Sequence, residues 1–409
     1  MILLLLACGS PDPSWHADVQ PLLLDHCTRC HIAGGQGPGD FTDLETVRAM
    51  GEVMVEQMDA GLMPPPASDP ECRDYVGAQV MNAPDDMAQI LDDWLQDGSP
   101  EGDPDDAPPA PEIQEALVDP DLTVLLQEPY TPLFQDERNA GNEYRCFVLE
   151  HGQTDDFYLT AMAPVIDERA LVHHMVLFAV EDEFIPGDHG PEGFDCIDNA
   201  FISGDSASSV IDGNGMVAGW APGQVPLELP DGVGIRIRKS QKLVLQLHYF
   251  QSEPGLIDQS GYAFNTATAD DIHTTLLMAP MGIYGFRIPA DDPAYTDHQD
   301  IDLPVTMTAW SVFPHMHVLG KAYDMRVLHA DGTETCLASS DQWDFDNQLS
   351  YTFKVPVTVE TGDTVRMSCT WDNSADNPEQ FADPPQDVGY GERTDEEMCF
   401  GFTLISLGE

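Results

Sequence analysis

Positive charge is scarce in this chain. It has 16 Lys and Arg, only four of them Lys, against 72 Asp and Glu. The formal net charge is −56 over 409 residues. A surface of that sign repels phosphate, which excludes nucleic acid as a partner and docking of the protein surface on anionic head groups. It also leaves little to hold a strongly anionic substrate. The acid is spread along the whole chain, so it reads as a solvated, salt-adapted coat and not as a recognition patch. Long apolar runs are missing too. Beyond the first residues nothing approaches the length that spans a bilayer, and there is no heptad pattern and no internal repeat. A core is not missing. An apolar fraction of 42 % is that of a globular protein, and the length suffices for two or three domains.

The chain begins Met1-Ile2-Leu3-Leu4-Leu5-Leu6-Ala7-Cys8. An apolar run ending Leu-Leu-Ala-Cys resembles a bacterial lipoprotein signal, in which Cys8 becomes lipid-modified. A basic n-region is absent and the run is short, so a plain apolar leader is the alternative. Residues 1–13 are expected to be this leader. The mature protein is expected in the periplasm or at the cell surface, anchored by lipid.

Two segments of different character follow. Residues 14–98 read as helical. Thr42-Asp43-Leu44-Glu45 fits a capping box, and Leu44, Val47, Met50, Met54 and Met58 follow at helical spacing. A second helix places Met87, Ile90, Leu91, Trp94 and Leu95 on one face before Gly98. Residues 99–121 are acidic and Pro-rich and read as an extended spacer. Beyond them the period changes to two. Val355, Val357 and Val359 precede Thr361-Gly362-Asp363, and Val365, Met367 and Cys369 follow; Asp331-Gly332 reads as a hairpin turn. The expectation is two all-β sandwiches, 122–282 and 283–409, after a small all-α domain.

Cys27-Thr28-Arg29-Cys30-His31 is a C-x-x-C-H site. Its two thiols can form thioethers to haem vinyls, and its imidazole can take one axial position on the iron. A zinc or redox C-x-x-C is the competing reading. Met63, in Gly61-Leu62-Met63-Pro64-Pro65, is the candidate sixth ligand. Residues 14–98 resemble a small monohaem cytochrome c, with Met-Pro-Pro as the distal loop and a terminal amphipathic helix carrying Trp94.

Three His strings stand out in the β segment: Val172-His173-His174-Met175, Gln246-Leu247-His248-Tyr249, and Pro314-His315-Met316-His317 followed by Leu319-Gly320-Lys321. Residues i and i+2 of a strand share a face, so His-x-His can chelate one ion. An adjacent pair can do so only where the backbone leaves regular strand geometry. The order of these strings, with Trp220-Ala221-Pro222, Leu229-Pro230-Asp231-Gly232 and the closing Asp395-Glu396-Glu397-Met398-Cys399, resembles the type II copper, ascorbate-dependent monooxygenases. That is the family of the peptidylglycine α-hydroxylating and dopamine β-monooxygenases, and the resemblance covers about residues 122–409.

The resemblance implies two jelly-roll-like sandwiches and two copper ions. One copper would be held by His173, His174 and His248. The other, where dioxygen is activated, would be held by His315, His317 and Met398, a donor set suited to Cu(I). Met367 is the rival thioether but alternates with Val365 as a core residue. Disulfides Cys146–Cys196 and Cys369–Cys399 are implied too, with Cys72 and Cys336 unassigned. Gln246 and Tyr249 match family residues beside the third His. The Arg, Asn and Tyr that hold a peptide C-terminus in the amidating enzyme are replaced here by Phe313, Phe400 and Phe402. An apolar pocket for a small neutral or aromatic molecule is therefore expected. Partners are then O2, that substrate, and an ascorbate-like reductant or a protein electron donor, with the haem relaying electrons. The alternative is an exported haem- and copper-containing electron-transfer protein, or a copper-binding protein, without hydroxylase activity.

Overall fold

The computed structural model describes residues 12–408 apart from 34, 36, 108, 110–115, 135–140, 188–189, 196–213, 251–254 and 392. Cys8 and Cys196 lie outside the described residues. The chain divides into two compact units. One is Met1–Pro66 with Gln79–Ile113; the other is Ala67–Ala78 with Gln114–Glu409.

All regular elements of the first unit are helical. A π turn, Trp15–Val19, runs into the helix Gln20–His26, and Leu44–Asp59 and Met87–Gln96 follow. The expected stripes supply the core: Val47 and Met54 from one helix meet Met87, Leu91 and Trp94 from another, with Trp15, Val19, Leu23 and Phe41. The long helix starts one residue later than the capping box predicts. Asp43 is the N-cap, its Oδ2 accepting the Thr46 N–H at 2.8 Å, while the Thr42 hydroxyl donates to Asp40. Gly51 allows a close helix approach, since a Cβ there would lie 2.7 Å from Leu95 Cδ2. The start of the expected spacer is not extended away from this unit. Pro100 O accepts the main-chain N–H of Trp15 and the indole Nε1–H of Trp94, both at 2.9 Å.

The second unit is built of sheets, as the period-two pattern predicts. Five strands lie in the order Phe194–Asp195, Asn142–Leu149, Gln241–Phe250, Val172–Glu181, Gly215–Trp220. Inward residues such as Leu149, Leu177, Leu243, Leu245 and Leu247 share one core with Phe157, Leu159, Ile235, Ile237 and Phe264 of a nine-stranded sheet. A four-stranded sheet in the order Tyr295–Asp302, Thr364–Trp371, Gly320–Leu328, Glu334–Ser340 covers the other end of the nine-stranded one. There the Met325 sulfur sits where a Cβ on Gly401 would be. The hairpin at Asp331-Gly332 forms as expected, with Gly332 at φ +86.

The two sandwiches are not separate bodies. Strand Thr274–Gly282 pairs parallel with Val233–Ile237 through Thr274, Thr275 and Leu276, then antiparallel with Phe400–Leu407 from Leu277 onward. One sheet therefore runs through both halves, and the boundary expected at residue 282 is crossed by a continuous hydrogen-bond ladder. Strands Tyr351–Val359 and Thr364–Trp371 flank a tight turn but enter different sheets.

Residues 67–78, counted with the helical segment in the sequence, are part of this β unit. Cys72 is disulfide-bonded to Cys336, which assigns both unplaced cysteines. Asp69 N–H donates to Ser339 O and Val76 N–H to Thr352 O, both at 2.8 Å, and Tyr75 bridges to Phe353. Arg73 donates to Cys336 O through Nε and Nη2. Cys369–Cys399 forms as the resemblance implies. Cys146 is disulfide-bonded, and its expected partner Cys196 is among the residues not described. No helix of the described residues is long and apolar enough to cross a membrane.

Candidate metal centre

The adjacent His pair is presented by a β-bulge. Along the ladder between Val172–Glu181 and Gln241–Phe250, Val172 pairs with Tyr249 and His174 with His248, so His173 is the extra residue. The bulge turns two neighbouring imidazoles to one place, the departure from regular geometry that the sequence required. His173, His174 and His248 bring ligand atoms within 4.8 Å of one another. His173 Nδ1 and His248 Nδ1 lie 3.3 Å apart. Two imidazole nitrogens on one tetrahedral ion at roughly 2.0–2.1 Å would be separated by about that much. His248 Nε2–H donates to Asn142 Oδ1 at 2.7 Å, which leaves Nδ1 for a metal. Tyr144 stacks on the same ring at 4.1 Å.

His315 ends strand Met307–His315, and His317 lies beyond it. Shared strand alternation is therefore not what aligns them. The His317 main-chain N–H leaves the ladder and donates to the buried carboxylate of Glu397 at 2.9 Å. Glu397 also accepts from Leu319 N–H, Trp371 Nε1–H and Met398 N–H. It joins the His-x-His loop to the residue that precedes Phe400–Leu407 by two. His315 Nδ1–H donates to Gln348 Oε1 at 2.5 Å and His317 Nδ1–H to Glu396 O at 2.9 Å. Nε2 is then the atom each ring has to offer a metal, and the rings lie 5.1 Å apart. Cys369–Cys399 pins the backbone beside Met398.

Burial keeps His174, His248, His315 and His317 neutral, the form that ligates metal. Desolvation lowers His315 to about 3, with the His317 charge adding to the shift, and lowers His317 to about 4. His174 and His248 are pushed well below the usual imidazole value, first by burial and then by neighbouring His. Burial also raises the Glu397 carboxyl to about 8. The donor chemistry fits copper at both places: three imidazoles in one, and two imidazoles with a thioether in the other.

One cavity reaches both sets. His174, His248, His315, His317 and Met398 line it, together with Gln246, Tyr144 and Gln348. Its remaining wall is largely apolar: Met175, Phe178, Met216, Trp220, Phe313, Phe345 and Phe402. Phe313 and Phe402 are thus where an apolar pocket was expected. Phe400 is not in the wall; it is buried behind, stacked on Phe402 at 5.7 Å. Tyr249 points away into the core, its hydroxyl donating to Asp258 at 2.9 Å. Met367 is fully buried in its sheet, the place expected of a core residue. Asn142, Tyr144, Phe345 and Gln348 carried no motif signal and emerge only from the fold.

Residues 135–254 match the family description "Copper type II ascorbate-dependent monooxygenase, N-terminal domain", and residues 295–404 match the C-terminal domain of the same family. The chain belongs to this copper monooxygenase family. Among curated relatives, DBH-like monooxygenase protein 2 of Mus musculus is 26 % identical over 227 residues, covering 50 % of this chain and 35 % of that protein. DBH-like monooxygenase protein 1 of Homo sapiens is 24 % identical over 319 residues, covering 70 % and 49 %. The chain thus spans half or less of the length of these relatives. A solved structure of PNGF-II aligns with a TM-score of 0.26 at 8 % identity, over 70 % of this chain and 65 % of that one. That likeness is too distant to bear on the fold. Both family domains fall in the β unit, and the helical unit lies outside the matched residues.

Proposed function

We propose that this chain is a dicopper monooxygenase that hydroxylates a C–H bond of a small neutral or aromatic molecule, with electrons relayed by a c-type haem on its helical unit. The observation that carries the copper part is the shared, mostly apolar cavity on which both donor sets open. In the balanced reaction one atom of O2 enters the C–H bond to give an alcohol. The other leaves as water with two protons and two electrons from a reductant. Copper held by these groups supplies the one-electron chemistry with dioxygen. The protein supplies the rest. Gln348, Glu396 and Asn142 fix which ring nitrogen faces the cavity, and Phe313, Phe402 and Trp220 exclude water and favour an apolar substrate.

Support for the haem is local. Cys27 and Cys30 are thiols and not a disulfide. The neighbouring His31 commits Nδ1–H to Pro38 O at 2.8 Å, so its Nε2 is the ligating atom, and its ring stacks on Phe41. Met63 follows the long helix on a loop and is 39 % exposed, which leaves its thioether accessible as the sixth ligand. The disulfides suit an exported protein. A lipid anchor at Cys8 and a periplasmic or surface location complete the proposal.

The test is oxygen consumption coupled to hydroxylation of an added C–H substrate. His315→Ala or Met398→Ala should abolish the product. Oxygen use without product, or none, would identify an electron carrier instead.

A further inference from the structure

The loop between Glu334–Ser340 and Tyr351–Val359 touches both donor sets. Gln348 is buried at 4 % exposure and accepts the His315 Nδ1–H. Its own amide donates to Phe345 O at 2.9 Å, so its orientation is fixed in turn. Two residues back, the Asp346 carboxylate lies 3.3 Å from His173 Nε2, and the Asp346 carbonyl lies 3.4 Å from His174 Nε2. Phe345 stands edge-on to His174 and to His317, at 6.1 and 6.2 Å.

We infer that Phe345–Gln348 is a strap by which the C-terminal half positions the imidazoles of both copper sites. Gln348 sets the tautomer of His315, and Asp346 is the outer carboxylate of the three-imidazole site, whose ligands come from the N-terminal half. For His173 and His248 the logic is the same. One ring nitrogen is committed to Asp346 or Asn142, and Nδ1 is left facing its neighbour. Outer partners of this kind hold ring orientation and raise ligand basicity, and their loss costs on the order of 10–100-fold in metal affinity. Asp346 is 73 % exposed on its side chain, so its share is the smaller. The strap residues are positioning residues; they act through the imidazoles.

This inference rests on the copper reading, and its test separates the two. The full chain is titrated with copper against a competing chelator, and Cu(II) is examined by electron paramagnetic resonance. Wild-type protein binding two coppers secures the copper reading; binding none overturns that reading itself. Given two, Gln348→Leu should weaken the Met-containing site about 10–100-fold. Gln348→Glu, which can still accept from Nδ1–H, should restore binding and lower the reduction potential of that copper. Asp346→Asn should change the hyperfine splitting of the three-imidazole site and leave the other site's affinity alone. The strap is refuted if Gln348→Leu binds as wild type, if Gln348→Glu fails equally, or if Asp346→Asn leaves the spectrum unchanged.

Discussion

Oε2 of Glu397 accepts the main-chain N–H of His317 at 2.9 Å, in a site closed to solvent. The same carboxylate takes the N–H of Met398, so a single buried side chain sets the spacing between an imidazole and a thioether 81 residues apart in sequence. Removing it leaves several buried donors without an acceptor, each costing about 1–3 kcal/mol. Glu397→Ala should therefore destabilise the β unit by roughly 3–5 kcal/mol, read as a loss of thermal midpoint. The nearly isosteric Glu397→Gln keeps one acceptor oxygen for the His317, Trp371 and Met398 donors but sets its amide NH2 against Leu319 N–H, so its loss should lie between wild type and the Ala variant. Equal midpoints for the Ala variant and wild type would remove Glu397 from this role.

The bulge at His173 makes the first donor set separable from the second. His248→Ala deletes one imidazole of the first set and none of the second. On the proposed function, copper content should fall from two ions to one per chain and hydroxylation should stop. Retention of two ions would mean that His173 and His174 suffice alone.

Phe402 contributes an aromatic face to the cavity beside Phe313. Burying such a side chain against a ligand is worth about 1.5–3 kcal/mol. Phe402→Ala should weaken binding of a small aromatic probe such as ethylbenzene by roughly ten- to a hundred-fold, followed by equilibrium dialysis of the probe. An unchanged affinity would place the substrate elsewhere.

The relay has its own signature. His31→Ala should slow reduction of copper by a protein donor and leave reduction by ascorbate unaffected. Identical kinetics with both donors would dismiss the relay.

Much of this was legible before the fold was known. The His strings and Met398 named the candidate donors, because ligating residue types at fixed order are rare by chance. Period-two patterning found the strands, and the odd His173-His174 pair announced irregular backbone. What stayed hidden depends on contacts distant in sequence. Gln348 and Asn142 are ordinary amides until a neighbouring strand brings an imidazole to them. Glu397 was visible only as part of a motif, without its four donors. Thr42 was favoured over Asp43 as a helix cap because local propensity cannot decide between adjacent good candidates. The halves of the β unit looked independent because no one-dimensional pattern shows that Thr274–Gly282 changes partners midway.

The bond between Cys72 and Cys336 changes what a cut in the chain means. Residues 67–78 belong to the β unit, while the helical unit is made of the segments on either side of them. Proteolysis in the acidic, Pro-rich spacer 99–121 should therefore nick the protein without releasing a fragment. The two pieces should migrate together on a non-reducing gel and part only after thiol is added. Cys72→Ser should let them part once denatured, without reductant. A truncation designed to begin after residue 98 would likewise discard a stretch of the copper-binding body along with the helices.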